Sequence, residues 1–203
     1  MMDLESDSQE LSEFSPLTVG DTVPAELSFE VFHDGDFKPM SFKDLRGKWC
    51  VLFFYPANFT FVCPTELSEM ADLYTDFVKA GAEVVSVSTD TVYGHKAWHD
   101  ASETIKKINF PMAGDPSHTL SGLFDVMVWE EGVTLRGTFI IDPDGVVKCI
   151  EINDDAIGRS AKETLRKLKA AMFVRNNPGN VCPASWDDGG DTLKPGVDMV
   201  GKL

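Results

Sequence analysis

Apolar positions recur along this chain with two periods. Lys48 to Tyr55 (K-W-C-V-L-F-F-Y) and Ala82 to Ser88 (A-E-V-V-S-V-S) are short, nearly continuous apolar runs. Both are rich in β-branched and aromatic residues, which predicts strands buried on both faces. Between them Leu67, Met70, Ala71, Tyr74, Phe77 and Val78 repeat at helical spacing, and Gly81 marks the stop. That is one βαβ unit. Before it, Leu27 to Phe32 and Phe37 to Phe42 read as strands around an Asp34-Gly35 turn. After it, Asp90 is the expected cap of a helix over Val92 to Ile108, and Asp115-Pro116 opens a short helix. Arg136 to Ile141 and Val146 to Ile152 form a strand pair joined by Pro143-Asp144-Gly145. Ser160-Ala-Lys-Glu163 is a capping box, and Leu165, Leu168, Ala171 and Met172 are the apolar face of a last long helix. The alternation with a late hairpin predicts an α/β fold with a mixed sheet flanked by helices.

The two ends break the pattern. Residues 1–15 are acidic and Ser-rich and are expected to be a disordered extension. Residues 16–175 make the domain. Residues 176–203, with Pro178, Pro183, Pro195 and five glycines, are an irregular tail. That tail nevertheless contains Cys182 and Trp186, which a bland tail rarely spends.

Charge and composition narrow the function. A net charge of -15 argues against nucleic acid and anionic membranes as partners. No apolar stretch approaches the roughly 20 residues a membrane span needs. The first residues carry no basic n-region or apolar h-region, and four cysteines are too few for a secreted disulfide scaffold. The expected compartment is the cytoplasm, where any disulfide is transient and catalytic. No G-x-G-x-x-G or G-x-x-x-x-G-K-[ST] occurs, so no nucleotide cofactor is expected.

Candidate chemistry centres on Cys63. Pro56 stops the central strand and Pro64 suits the first turn of a helix, so Cys63 falls at a helix N-terminus beyond the carboxyl end of a strand. Free N–H groups and the positive end of the helix dipole favour a thiolate there. Thr60, three residues upstream, is close enough for its hydroxyl to face the sulfur or a bound oxygen. Pro56 can shield the thiolate from water. Arg136, opening a later strand, can bring a guanidinium to the same sheet edge and stabilise developing negative charge. The bland alternative, a buried structural cysteine, sits less well with that context.

F-Y-P-A-N-F-T-F-V-C-P-T-E resembles the P-x-x-x-T-x-x-C active-site segment of peroxiredoxins, and N-V-C-P-A-S-W resembles the resolving segment of their typical two-cysteine class. S-T-D-T-V-Y-G-H-K-A-W, R-G-T-F-I-I-D and I-G-R-S are similar to further family segments, and the bacterial alkyl hydroperoxide reductase type fits best. The resemblance implies a thioredoxin-like fold and a thiol peroxidase acting on hydrogen peroxide and organic hydroperoxides. It makes Cys63 the peroxidatic thiol and Cys182 the resolving one, supplied by the partner subunit. Pro56, Thr60 and Arg136 position and polarise the peroxide, and Glu66 with Arg159 orients Arg136. Thioredoxin or a dedicated flavoprotein disulfide reductase is the implied reductant, and a homodimer assembling into a decameric ring the implied assembly. Val92 to Trp98 resembles the ring-contact segment, although Gly94 supplies no side chain there. The Gly-Gly-Leu-Gly insertion and C-terminal Tyr-Phe of overoxidation-sensitive members are missing, which implies a robust enzyme.

Other features read as packing. His95 and His99 at i, i+4 lack the Glu of H-E-x-x-H, since position 96 is Lys96, so no metal is expected. Cys50 and Cys149 fall inside strands and are expected in the core. Trp186 is expected to anchor the Cys182 segment. A general disulfide oxidoreductase is weaker, because Glu66 occupies the second Cys position of C-x-x-C. A holdase chaperone would act without the Cys63 sulfur, and a peroxide sensor would accumulate mixed disulfides with clients.

Overall fold

The structure, a computed structural model, describes residues 15–202, so all but the last residue of the acidic extension lies outside the described residues. Seven strands form one mixed sheet. From one edge they run β2 (Asp36–Ser41), β1 (Ser28–His33), β5 (Met112–Gly114), β4 (Ala82–Ser88), β3 (Trp49–Phe54), β8 (Arg136–Ile141) and β9 (Val147–Asn153). The central β3, β4 and β5 are parallel, and the outer pairings are antiparallel. A separate two-stranded ribbon pairs β6 (Met127–Val128) with β7 (Val133–Thr134). Helix α1 (Cys63–Lys79) links β3 to β4, α2 (Val92–Ala101) follows β4, α3 (Thr119–Leu123) is short, and α4 (Ala161–Asn176) follows β9.

The central strands read as continuous apolar runs because each of their faces meets a separate core. Trp49, Val51 and Phe53, with Tyr55, pack with Leu67, Met70, Phe77, Trp98 and Leu168 of the helices. The alternate residues Cys50, Leu52 and Phe54 pack with Leu120, Leu123, Phe124 and Phe139 on the opposite face. On β8 the same alternation puts Ile140 in the first cluster and Phe139 and Ile141 in the second. Arg136 and Thr138 therefore share the face covered by α1 and α4. Period two along one strand is what aims Arg136 at the helix side.

Strands β4 and β8 have the bounds the pattern predicts, and the Cys63 helix begins at Cys63. Several expectations need correction. The Val92 helix ends at Ala101 rather than Ile108, since Ser102 turns extended and Ile105–Lys107 form only a 3-10 turn. Its cap is Thr91, whose hydroxyl accepts from the Gly94 N–H, while Asp90 turns to the preceding loop. The short helix starts at Thr119, not at Pro116. Asp115 still serves it from outside, its carboxylate accepting from the Leu120 and Ser121 N–H groups at 3.1 and 2.7 Å. The capping box is half formed: Ser160 accepts from the Glu163 N–H, but the Glu163 carboxylate pairs with Arg166 instead. Strands β5, β6 and β7, two or three residues long, are too short for periodicity to register.

Candidate active site

Cys63 is the first residue of α1, and no side chain caps the helix ahead of it. Its sulfur is fully buried and accepts a hydrogen bond from Arg136 Nη1 at 3.4 Å. The same Nη1 donates to Glu66 Oε2 at 2.7 Å, and Arg136 Nε donates to the Asp155 carbonyl at 2.6 Å. Those bonds fix the planar guanidinium with one edge on the sulfur. Burial works against the Arg136 charge, but the bond to Cys63 and the charge of Glu66 outweigh it and hold the group above its ordinary value.

Behind Arg136 stands a second guanidinium. Arg159 donates its backbone N–H and Nε to Glu66 Oε1 at 2.8 and 2.9 Å, and Nη2 to Oε2 at 3.1 Å. Its Nη1 reaches Gly137 O and Thr138 Oγ1, and the guanidinium lies 3.4 Å from the centre of the Phe53 ring. Burial pulls Arg159 below its ordinary value, with Glu66 opposing. One carboxylate thus serves two cations, all three side chains being at most 4% exposed. Helix α1 supplies both the nucleophile and this carboxylate one turn apart, so the sulfur and its cation are tied to one rigid element.

The loop between β3 and α1 is pinned at its start. Tyr55 Oη donates to Asn58 Oδ1 at 2.8 Å, and the Asn58 N–H donates to Asp90 Oδ2 at 2.9 Å. Because Ala113 O only accepts, His95 Nε2 donates to it at 3.0 Å, leaving Nδ1 to accept from Asn58 Nδ2 at 3.1 Å. Burial holds His95 below its ordinary value, so the ring is neutral. This network escaped the sequence reading. Val92, His95 and Trp98 share the buried face of α2, and that spacing could have marked His95 as a core anchor. His99 instead packs edge-on against Phe32, so the two histidines do not converge, and no cluster of metal-ligating side chains occurs among the described residues.

Pro56 is buried at the end of β3, and Thr60 is half-buried in the loop. The Thr60 hydroxyl donates to Ala57 O at 3.0 Å rather than to the sulfur, leaving its oxygen lone pairs free. Phe59 and Phe61 are exposed outside it. Cys50 is buried as expected, but Cys149 is only half-buried, facing α4 at a cavity rim. Cys182 is half-buried on the outside of α4, its thiol directed at Ala170 O at 3.8 Å. Trp186 anchors that segment: it is buried against Phe173, with ring centres 5.3 Å apart, and its Nε1 donates to Gly190 O.

A buried sulfur at the N-terminus of the first sheet-crossing helix, with a guanidinium on it and a distant second thiol on a tail, defines a thioredoxin-fold thiol redox enzyme. The sequence model of the AhpC/TSA family matches residues 19–150. Alkyl hydroperoxide reductase C of Bacillus subtilis (strain 168) is 54% identical over 179 residues, covering 87% of this chain and 96% of that protein. The crystal structure of Enterococcus faecalis AhpC superposes with a TM-score of 0.79 at 45% identity, over 81% of this chain and 98% of that one. The reduced 2-Cys peroxiredoxin of Plasmodium vivax superposes with a TM-score of 0.85 at 31% identity, over 90% and 96% of the two chains. The chain belongs to the AhpC/TSA family of peroxiredoxins and is a thiol-dependent peroxidase.

Proposed function

We propose that Cys63 is the peroxidatic thiol and Cys182 the resolving one, reducing hydrogen peroxide and organic hydroperoxides. The observation that carries this reading is the Arg136 guanidinium shared between the Cys63 sulfur and Glu66. The thiolate attacks one peroxide oxygen in line. The O–O bond breaks, and the other oxygen leaves with its electron pair and a proton as water or alcohol. Cys63 becomes a sulfenic acid. Arg136 sits where charge builds on the sulfur and the oxygens, and Arg159 and Glu66 hold it there without reorganisation. Thr60 offers its free lone pairs to a peroxide O–H, and Pro56 limits water. Because Cys63 is fully buried, peroxide enters when the 57–62 loop, with its exposed phenylalanines, yields.

The Cys182 thiol then condenses with the sulfenic acid and releases water. Register supports resolution by a second copy. Cys149, which shares the cavity of Cys182, lies four residues along β9 from Asn153, the partner of Arg136. At the usual strand rise that is about 13 Å from the Arg136 level. A homodimer across the β9 edge fits the exposed Ile152, Ile157, Val174 and Val181 near it. A further ring contact fits the exposed Phe59, Phe61 and Tyr93. Gly94 has its own reason to be small: a Cβ there would stand 3.3 Å from Asn58 Nδ2. The bridge is reset by thioredoxin or a flavoprotein disulfide reductase. A cytoplasmic enzyme fits four free thiols, and no helix among the described residues is long and apolar enough to cross a membrane.

Non-reducing electrophoresis after one equivalent of peroxide tests the reading with wild type, Cys63→Ser and Cys182→Ser. A covalent dimer in wild type alone, with sulfenic acid trapped in Cys182→Ser, is expected. Peroxide consumption by Cys63→Ser at the wild-type rate would overturn it.

A further inference from the structure

One cavity of about 610 Å³ between β9, α4 and the tail is lined by two thiols, Cys149 and Cys182, together with Lys148, Arg166, Lys167 and Arg175. Cys149 belongs to no part of the peroxide site. It sits on β9 facing α4, packed beside Ala171, while Cys182 rests against the neighbouring Ala170 carbonyl. Arg166 acts electrostatically on both sulfurs, and Lys167 on Cys149. The tail is fastened in this seat: Arg166 Nη1 donates to Trp186 O at 2.6 Å, Lys169 pairs with Asp188, and Val181 bridges Leu193. The resting place of Cys182 is therefore beside Cys149, about 13 Å along the sheet from the Arg136 level.

We propose that Cys149 is a relay thiol that takes over the bridge from Cys63, so that an intrachain Cys149–Cys182 disulfide is the oxidised form presented to the reductant. This rests on the resolving role of Cys182. The Cys149 thiolate attacks Sγ of Cys182 in the Cys63–Cys182 bridge, a new S–S bond forms, and the old one breaks. The electron pair leaves on Cys63, which takes up the proton that Cys149 gave to solvent, so the step needs no further oxidant. The exchange lets the tail reseat on α4 while Cys63 returns to its place under Arg136. The cationic rim stabilises the attacking thiolate and the charge spread over three sulfurs in transit. Burial holds both cavity thiols above their ordinary values, so this step is slower than the attack on peroxide.

The test is peptide mapping of full-length enzyme given one equivalent of peroxide, alkylated before denaturation and digested without reductant. Thiols of similar acidity exchange with an equilibrium constant near one, so roughly half of the oxidised chains should carry the 149–182 link. The covalent dimer should accordingly rise about twofold in Cys149→Ser. The 149–182 link must vanish in Cys63→Ser, since its oxidising equivalent arrives through Cys63. A 63–182 link found alone, with equal covalent dimer in Cys149→Ser, overturns the relay and leaves the resolving role of Cys182 standing. Absence of any 63–182 link overturns both.

Discussion

Replacing Glu66 by Gln keeps the shape of the side chain and removes its charge. In the native site that carboxylate accepts four hydrogen bonds, one from Arg136 and three from Arg159, inside a buried cluster of two guanidiniums. The variant leaves two buried cations facing each other with no counter-charge. Breaking a buried pair by removing one partner costs about 3–5 kcal/mol. For a chain of this size each kcal/mol moves Tm by roughly 2–4 °C, so a loss of about 6–20 °C is expected. Arg136 keeps its tether to Asp155 O but loses the one to Glu66. A misplacement of ~1 Å costs on the order of 10²-fold in rate. Thermal unfolding by circular dichroism reads the first quantity, and stopped-flow oxidation of Cys63 by peroxide reads the second. Glu66→Gln combined with Arg159→Met removes the stranded charge over Phe53, and should recover most of the Tm but not the rate. A single variant within about 2 °C of wild type, with unchanged kinetics, would refute the claim that Glu66 organises the site.

Three further outcomes follow from separate contacts. A Cβ at Gly137 would lie 2.6 Å from Val126 Cγ1 and 3.1 Å from the Phe139 ring, so Gly137→Ala should cost about 1–3 kcal/mol in chemical denaturation. Trp186→Ala empties the seat of the tail against Phe173. It should speed proteolytic cleavage between 178 and 190 and slow disulfide formation, with Cys63 oxidation by peroxide unchanged. His95 is held neutral by burial, with a folded pKa below its unfolded value near 6.5, so its contribution is intact above that pH and is lost as pH falls through the folded value. The urea midpoint should drop between pH 7.5 and 5.5, and His95→Gln should flatten that drop. An equally steep drop in the variant would assign it to other groups.

Peroxide turnover without Cys182 would still leave an enzyme, but one dependent on outside thiols. The tail's fastening to α4 through Arg166 and Trp186 gives resolution a cost, since the seat must be vacated before Cys182 can meet a sulfenic acid. That cost favours a second copy as the donor and places the exposed β9 edge at the centre of the assembly.

Local rules carried much of this protein. Continuous apolar runs marked β3 and β4 as doubly buried, helical spacing marked α1, and Pro56 and Pro64 fixed Cys63 at a helix start. Each of these follows from backbone geometry within a few residues, so neighbouring letters suffice. The motif around Cys63 and the second one around Cys182 supplied the chemistry through resemblance. Long-range convergence was different. Arg136 meets Cys63 across 73 positions and Arg159 meets Glu66 across 93, contacts that exist because β8 pairs with β3 and presents alternate residues to α1. The pinning of Asn58 by His95, and the shared cavity of Cys149 and Cys182, likewise arise where separate elements pack. No local pattern encodes them, because a side chain's partners are set by sheet order and register, which belong to the chain as a whole.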